Sequence, residues 1–236
     1  MSDFYGADLA VIHAEAFEAL AVSAAETLLA HIQPQVTGRV LDLGCGAGPL
    51  SKEVSAHGFS VWGVDVSAAL VQRARERLPN AEFECGSVVD LALPDGSAAA
   101  AIGEVLNYAT ADQPNGLARV FARVFAALTP GGVFLFDLAG PGRGGVRRTF
   151  FEGDGWAVGM NASERDDLLV RKITTFRKTE GSHWRRSFEE HHLRLWSAPD
   201  VTAQLVAAGF NVELLDSYGG SNMPPALQVY LARKPS

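Results

Sequence analysis

Apolar positions along the chain change their spacing in a regular way. Between residues 8 and 33, Leu9, Ile12, Phe17, Leu20, Leu28 and Ile32 recur among Ala and Glu, which predicts two short helices or one broken one, closed by Pro34. The run Val40-Leu41-Asp42-Leu43 then reads as a strand, and Gly44-Cys45-Gly46-Ala47-Gly48-Pro49 reads as a glycine turn opening a helix. Pro49 suits the first helical turn, where its missing N–H would have had no partner. The alternation continues with helix 49–57, strand 59–65, helix 67–78, strands 81–86 and 98–104, helix 113–128 and strand 132–138. Strands separated by helices imply right-handed parallel crossovers and a sheet covered on both faces, so the expected fold class is α/β with a doubly wound, mostly parallel sheet.

The pattern changes at Pro141, where Gly-Pro-Gly-Arg-Gly-Gly leads into segments that alternate with period two. Residues 155–162, 168–177 and 184–196 fit strands joined by polar turns at 163–167 and 178–183, a small inserted antiparallel β-sheet. Ser197-Ala198-Pro199-Asp200 supplies a helix cap, Gly209 ends that helix, and strands 210–216 and 226–233 complete a seven-stranded sheet. The expected division is a helical segment 1–37, an α/β core 38–140 and 197–236, and an insertion 141–196.

The strongest local signal is Asp42-Leu43-Gly44-Cys45-Gly46-Ala47-Gly48, placed between strand and helix. Glycines permit positive φ and close approach of backbone to a ligand, and the following helix offers unpaired N–H groups. A dinucleotide fingerprint would need a third glycine where this chain has Pro49, and an acidic Asp42 favours a cationic ligand over a pyrophosphate. Val40 to Gly48 resembles motif I of the class I S-adenosylmethionine-dependent methyltransferases.

That resemblance implies a Rossmann-like methyltransferase fold and S-adenosylmethionine as cofactor, with S-adenosylhomocysteine as product. It assigns Asp42, Gly44, Cys45, Gly46 and Gly48 to the cofactor loop, and Asp65, 21 residues beyond Gly44, to the ribose diol, with Val66 beside it. Phe83 to Val88 resembles the third-strand end that holds adenine, with Ser87 where many members carry an acidic residue and the Val88 backbone as an alternative contact. Gly103-Glu104-Val105-Leu106-Asn107-Tyr108 resembles the fourth-strand end that faces the methyl group, and the segment from Phe4 to Phe17 resembles an N-terminal lid in which Tyr5 closes over the cofactor. The insertion resembles the acceptor-covering region of small-molecule enzymes.

Charge narrows the acceptor. The net charge of −7 divides into 7 basic and 16 acidic side chains over residues 1–140 against 11 and 9 over residues 141–200, a poor surface for phosphate backbones. The expected partner is a small molecule, with no nucleic acid and no membrane, in a monomer or homodimer. The N-terminus lacks a basic stretch followed by an apolar run, and no apolar segment reaches the about 18 residues of a bilayer span, which predicts a cytoplasmic protein. Cys45 and Cys85 form no metal-ligand pattern and are read as buried thiols.

Methyl transfer from a sulfonium is an in-line displacement in which much of the rate comes from positioning, and a base helps only an acceptor that must lose a proton. Glu104 is the first candidate base. His191 and His192 occupy a strand, where successive side chains face opposite ways, so only one can face a cavity, and His191 shares its face with Leu193 and Leu195. Arg143, Arg171 and Arg194 are candidates for meeting an anionic acceptor, His13 is ambiguous, and Trp156, Phe176, Trp184 and Trp196 either wall a pocket or fill the core of the inserted sheet. Two other readings remain: a binding or regulatory module that keeps the cofactor without catalysis, and a nicotinamide-dependent oxidoreductase, which Pro49 opposes.

Overall fold

The computed structural model describes residues 6–16, 18–33, 38–113, 115–145, 147–179 and 183–236. Helices α1 (Ala7–Ala16) and α2 (Ala19–His31) precede β1 (Arg39–Leu43), α3 (Pro49–Ala56), β2 (Ser60–Asp65), α4 (Ala68–Arg77), β3 (Glu82–Cys85), β4 (Gly96–Ala101), α5 (Val105–Ala109), α6 (Gly116–Ala127) and β5 (Leu128–Ala139). Four strands follow, β6 (Arg147–Gly153), β7 (Trp156–Arg165), β8 (Leu168–Lys178) and β9 (Trp184–Arg194), then α7 (Ala198–Ala207), β10 (Asn211–Leu215) and β11 (Leu227–Arg233).

Seven strands form one sheet in the order β10-β11-β5-β4-β1-β2-β3, parallel except for β11, which runs antiparallel to both β5 and β10. Side chains of successive residues leave the sheet on opposite faces. Val40, Ala98, Ala100, Val133 and Leu135 accordingly pack with Ala24 and Leu28 of α2 and with Leu50 and Val54 of α3. Leu41, Leu43, Ala99, Ala101, Phe134 and Phe136 pack on the other face with Val120, Phe121 and Val124 of α6 and with Leu205 of α7. The alanine run of β4 is a poor strand former by propensity, but it lies between β1 and β5, where Phe134 and Phe136 fill the space its methyls leave. Strand order reverses between β1 and β4, so a crevice opens beyond their carboxyl ends.

The inserted antiparallel sheet has four strands in the order β6-β7-β8-β9, one more than the alternation predicts. Its first strand, Arg-Arg-Thr-Phe-Phe-Glu-Gly, is an edge strand with Phe150 exposed, so burial imposes no clean period on it. The inner face of this sheet meets α1, where Leu9 and Ile12 pack against Val158 and Ile173. The Asp8 carboxylate accepts from Arg185, with 2.6 Å to Nε, and from Arg177, at 3.4 Å, tying α1 to β8 and β9. The Arg185 hydrogen bond is the main cause that holds the Asp8 carboxyl below its usual range.

Three expectations need correction. β4 ends at Ala101 instead of continuing to residue 104, because Gly103 and Glu104 turn over the strand end, both with positive φ, and a short unforeseen helix α5 starts there. Phe176 and Trp184 neither wall a pocket nor fill a core, since both lie exposed on the outer face, while Trp196 belongs to the main core and Trp156 packs near α1. Cys85 is exposed, because β3 is an edge of the large sheet, whereas Cys45 is buried as expected.

Candidate functional site

The glycine turn is held from below by the second strand. The N–H groups of Gly44 and Cys45 both donate to the Val64 carbonyl, at 2.7 and 2.9 Å, and Gly48 donates to the Cys45 carbonyl at 2.9 Å. Gly44 has φ +78°, and a Cβ on it would collide with Val105 at the start of α5, so this turn and the turn after β4 touch directly. A Cβ on Gly46 would meet nothing within 4 Å, which leaves open space above the turn.

Two carboxylates flank that space. Asp65 accepts from the Gly46 N–H at 3.0 Å and from the Ser67 N–H at 2.8 Å, so one side chain shapes the glycine turn and the start of α4 together. Asp42 is only 3% exposed and accepts from the Ser51 hydroxyl at 2.6 Å. Burial pushes its carboxyl up to about 6, and Asp65 is pushed up for the same reason.

These groups line a cavity of about 790 Å³, within the range of small-molecule and cofactor sites. Asp42, Gly44, Cys45, Gly46, Asp65, Val66, Ser87, Val88, Gly103 and Glu104 all contribute to its wall. Gly48 instead caps α3, with φ +77°, and Tyr5 lies outside the described residues. The roof comes from Leu9 and His13 of α1 together with Phe151, Val158, Met160, Arg171 and Ile173 of the inserted sheet, so Phe151 is the insert's aromatic at this cavity. Among the described residues, no group of three or more His, Cys, Asp or Glu stands where it would hold a metal ion, and no helix is long and apolar enough to cross a membrane.

Glu104 is the best-placed carboxylate at the crevice, and its surroundings are full. Arg171 meets both of its oxygens, with Nη2 to Oε1 at 2.9 Å, and Arg143 Nε donates to Oε1 at 2.7 Å. Burial alone would push Glu104 up, but the two guanidinium groups offset this and hold its carboxyl below the ordinary range. Both oxygens are thus engaged with cations in an ionised carboxylate, a poor arrangement for taking a proton. Arg143 and Arg171 do reach the cavity, whereas Arg194 stacks over Trp196.

His191 is 1% exposed and does not line the cavity. It reaches the wall through Tyr108, whose hydroxyl lies 3.3 Å from Nδ1, while Nε2 lies 2.9 Å from Glu189. His192 points the other way, 2.9 Å from Glu190 at the surface.

Sequence reasoning missed Asp137. Fully buried at the end of β5, it accepts from the N–H groups of Gly103, at 2.8 Å, and Glu104, and from the Tyr218 hydroxyl at 2.9 Å. Burial pushes its carboxyl up to about 6. It holds the left-handed turn that presents Glu104; an acidic residue inside the apolar run 133–139 was the signal available.

Residues 40–132 match the family described as "Methyltransferase domain". The chain is 38% identical over 118 residues to a trans-aconitate 2-methyltransferase of Paracidovorax citrulli, a match covering 48% of this chain and 44% of that protein. It therefore spans less than half the length of that relative. Among solved structures, an S-adenosylmethionine-dependent methyltransferase from Clostridium acetobutylicum superposes with a TM-score of 0.81 at 21% identity, covering 96% of this chain and 98% of that one. The sugar N-methyltransferase KedS8 of a Streptoalloteichus species superposes with a TM-score of 0.79 at 21% identity, covering 100% and 94%. At such identities the likeness is one of fold.

Proposed function

We propose that the chain is a class I S-adenosylmethionine-dependent methyltransferase and that it transfers the methyl group of S-adenosylmethionine to a small acceptor carrying an anionic group. The observation that carries this reading is a single cavity joining the Asp42–Asp65 pair and the glycine turn to the Arg143–Glu104–Arg171 cluster. When bound, the cofactor supplies an electrophilic methyl group on a sulfonium. Asp42 would attract its ammonium end, Asp65 would accept from the ribose hydroxyls through lone pairs left over from its two backbone bonds, and Ser87 and Val88 would border the adenine.

Glu104 cancels one of the two guanidinium charges in the cluster, so one positive charge remains. Arg171 directs both terminal nitrogens at Glu104, and Nη1 also at the Tyr108 hydroxyl, whereas Arg143 meets Glu104 through Nε and, among the described residues, its two terminal nitrogens have no hydrogen-bond partner, which leaves them for the acceptor. A carboxylate or phosphate of the acceptor would dock there, which fits the tricarboxylate named for one relative. In this reading Glu104 orients two arginines and takes no proton. In this reading α1 and the inserted sheet cover the crevice, and Asp8 latches the two together.

The test is turnover of S-adenosylmethionine with trans-aconitate, 3,4-dihydroxybenzoate and glucosamine 6-phosphate, each compared with its uncharged counterpart. Methylation of an anionic probe with the counterpart inert supports the reading. Tight binding of NADH with no binding of S-adenosylhomocysteine overturns it, as does turnover indifferent to the anion.

A second expectation concerns protons. Because Asp42 sits near 6 through burial, a cationic ligand beside it must pull that value down, so binding near pH 6 releases protons and affinity rises with pH through this window. Calorimetry of S-adenosylhomocysteine in two buffers of different ionisation enthalpy should show proton release at pH 6 that fades by pH 8. Buffer-independent heats at pH 6 would mean that Asp42 does not face the ammonium.

A further inference from the structure

Tyr108 lies in α5, four residues beyond Glu104, both side chains meet Arg171, and the start of that helix abuts the glycine turn at Gly44. Its ring forms part of the cavity wall beside Arg171, and its hydroxyl accepts from Arg171 Nη1 at 3.3 Å. On the other side stands His191, edge-on at 5.5 Å between ring centroids. The His191 Nε2 to Glu189 distance of 2.9 Å places the imidazole proton on Nε2, since a carboxylate only accepts. In the neutral imidazole Nδ1 is then an acceptor, placed 3.3 Å from the Tyr108 hydroxyl to receive its hydrogen bond. Glu189 in turn accepts from the Gly6 N–H at 3.2 Å, so the segment leading into α1 helps fix the far end of the chain of hydrogen bonds.

We propose that Tyr108 is the catalytic proton acceptor of this site, passing its own proton to His191, with Glu189 orienting the imidazole and Arg171 offsetting the negative charge that builds on the phenol oxygen as its proton leaves. The proposal rests on the methyl-transfer reading above and adds to it that the methylated atom carries a proton, as a hydroxyl or an amine does. The acceptor's lone pair forms the bond to the methyl carbon, and the carbon–sulfur pair leaves with sulfur, which becomes neutral. The acceptor's proton passes to the Tyr108 oxygen, whose own proton passes to His191 Nδ1. The resulting imidazolium faces the Glu189 carboxylate, and it returns its proton to water after product leaves. The logic is that of a nucleophile, base and orienting carboxylate, shifted by one group so that a phenol touches the substrate.

The experiment uses the full chain with 3,4-dihydroxybenzoate as acceptor probe, in Tyr108→Phe, His191→Gln and the double variant. Each single change should lower kcat about 100-fold with KM nearly unmoved, and the double variant should lose no more than either alone, because the groups act as a unit. A Tyr108→Phe variant within about threefold of the parent, or losses that multiply in the double variant, overturns the proposal. If that probe is inert, which concerns the acceptor and not the relay, histidine ¹⁵N spectra of the protein with S-adenosylhomocysteine decide. An Nε2–H tautomer at His191 whose Nδ1 signal moves in Tyr108→Phe supports the relay; an Nδ1–H tautomer, or a signal indifferent to Tyr108, refutes it.

Discussion

Asp65→Ala is expected to weaken S-adenosylhomocysteine binding by about 100-fold, close to 3 kcal/mol. Two losses combine in that figure. The carboxylate would no longer accept from the ribose hydroxyls, and hydrogen bonds to a charged acceptor contribute about 1.5–3 kcal/mol in total for such a contact. The Gly46 N–H, held by Asp65 at 3.0 Å, would also lose its tether, so the glycine turn would have to be ordered by the ligand itself. Asp65→Asn separates the two effects, because the amide oxygen can still accept from one N–H; an intermediate loss is expected. Calorimetry on the folded variants measures both, and an affinity for Asp65→Ala within about threefold of the parent would remove Asp65 from the cofactor site.

Arg171→Met is expected to cost stability on a similar scale, about 3 kcal/mol, or a fall in Tm of about 10 °C for a chain of this length. Removing one member of a buried ion pair leaves its partner charge without compensation, and Glu104 is only 5% exposed. Arg143 still reaches one Glu104 oxygen, which keeps the loss at the lower end of the range for buried pairs. The paired variant Glu104→Gln with Arg171→Met should recover much of the stability, since the buried carboxylate charge is gone and Arg143, the more exposed cation, can still donate to the amide oxygen. Urea unfolding provides the measurement. A single-variant loss below about 1 kcal/mol would mean that water already screens the cluster.

Much of the fold was legible because its elements are local. The glycine turn, Pro49 at the first turn of α3 and the Ser197 cap of α7 declare themselves through backbone chemistry within a few residues. The seven-stranded sheet followed from strands spaced by helices, and the insertion from the switch to period two. Boundaries slipped where tertiary contacts override propensity. The residues after Ala101 read as more strand, but Asp137, over thirty residues away in sequence, draws the N–H groups of Gly103 and Glu104 into a left-handed turn.

The candidate site divides in the same way. Asp42, the glycines and Asp65 were readable from spacing, because a strand-turn-helix unit places them with little outside help. The side beneath the inserted sheet was not. Glu104, Arg143 and Arg171 come from three separate elements, and only their assembly turns a candidate base into an ion-pair anchor. His191 was recognisable as a residue of interest, yet its access to the cavity depends on Tyr108, 83 positions away. Sequence by itself determined the class of fold and the half of the crevice built on the glycine turn, since both follow from short-range patterning and turn chemistry. Tertiary structure alone decided which charges face each other beneath the inserted sheet, because burial sets the strength of those pairings and burial is a property of the assembled chain.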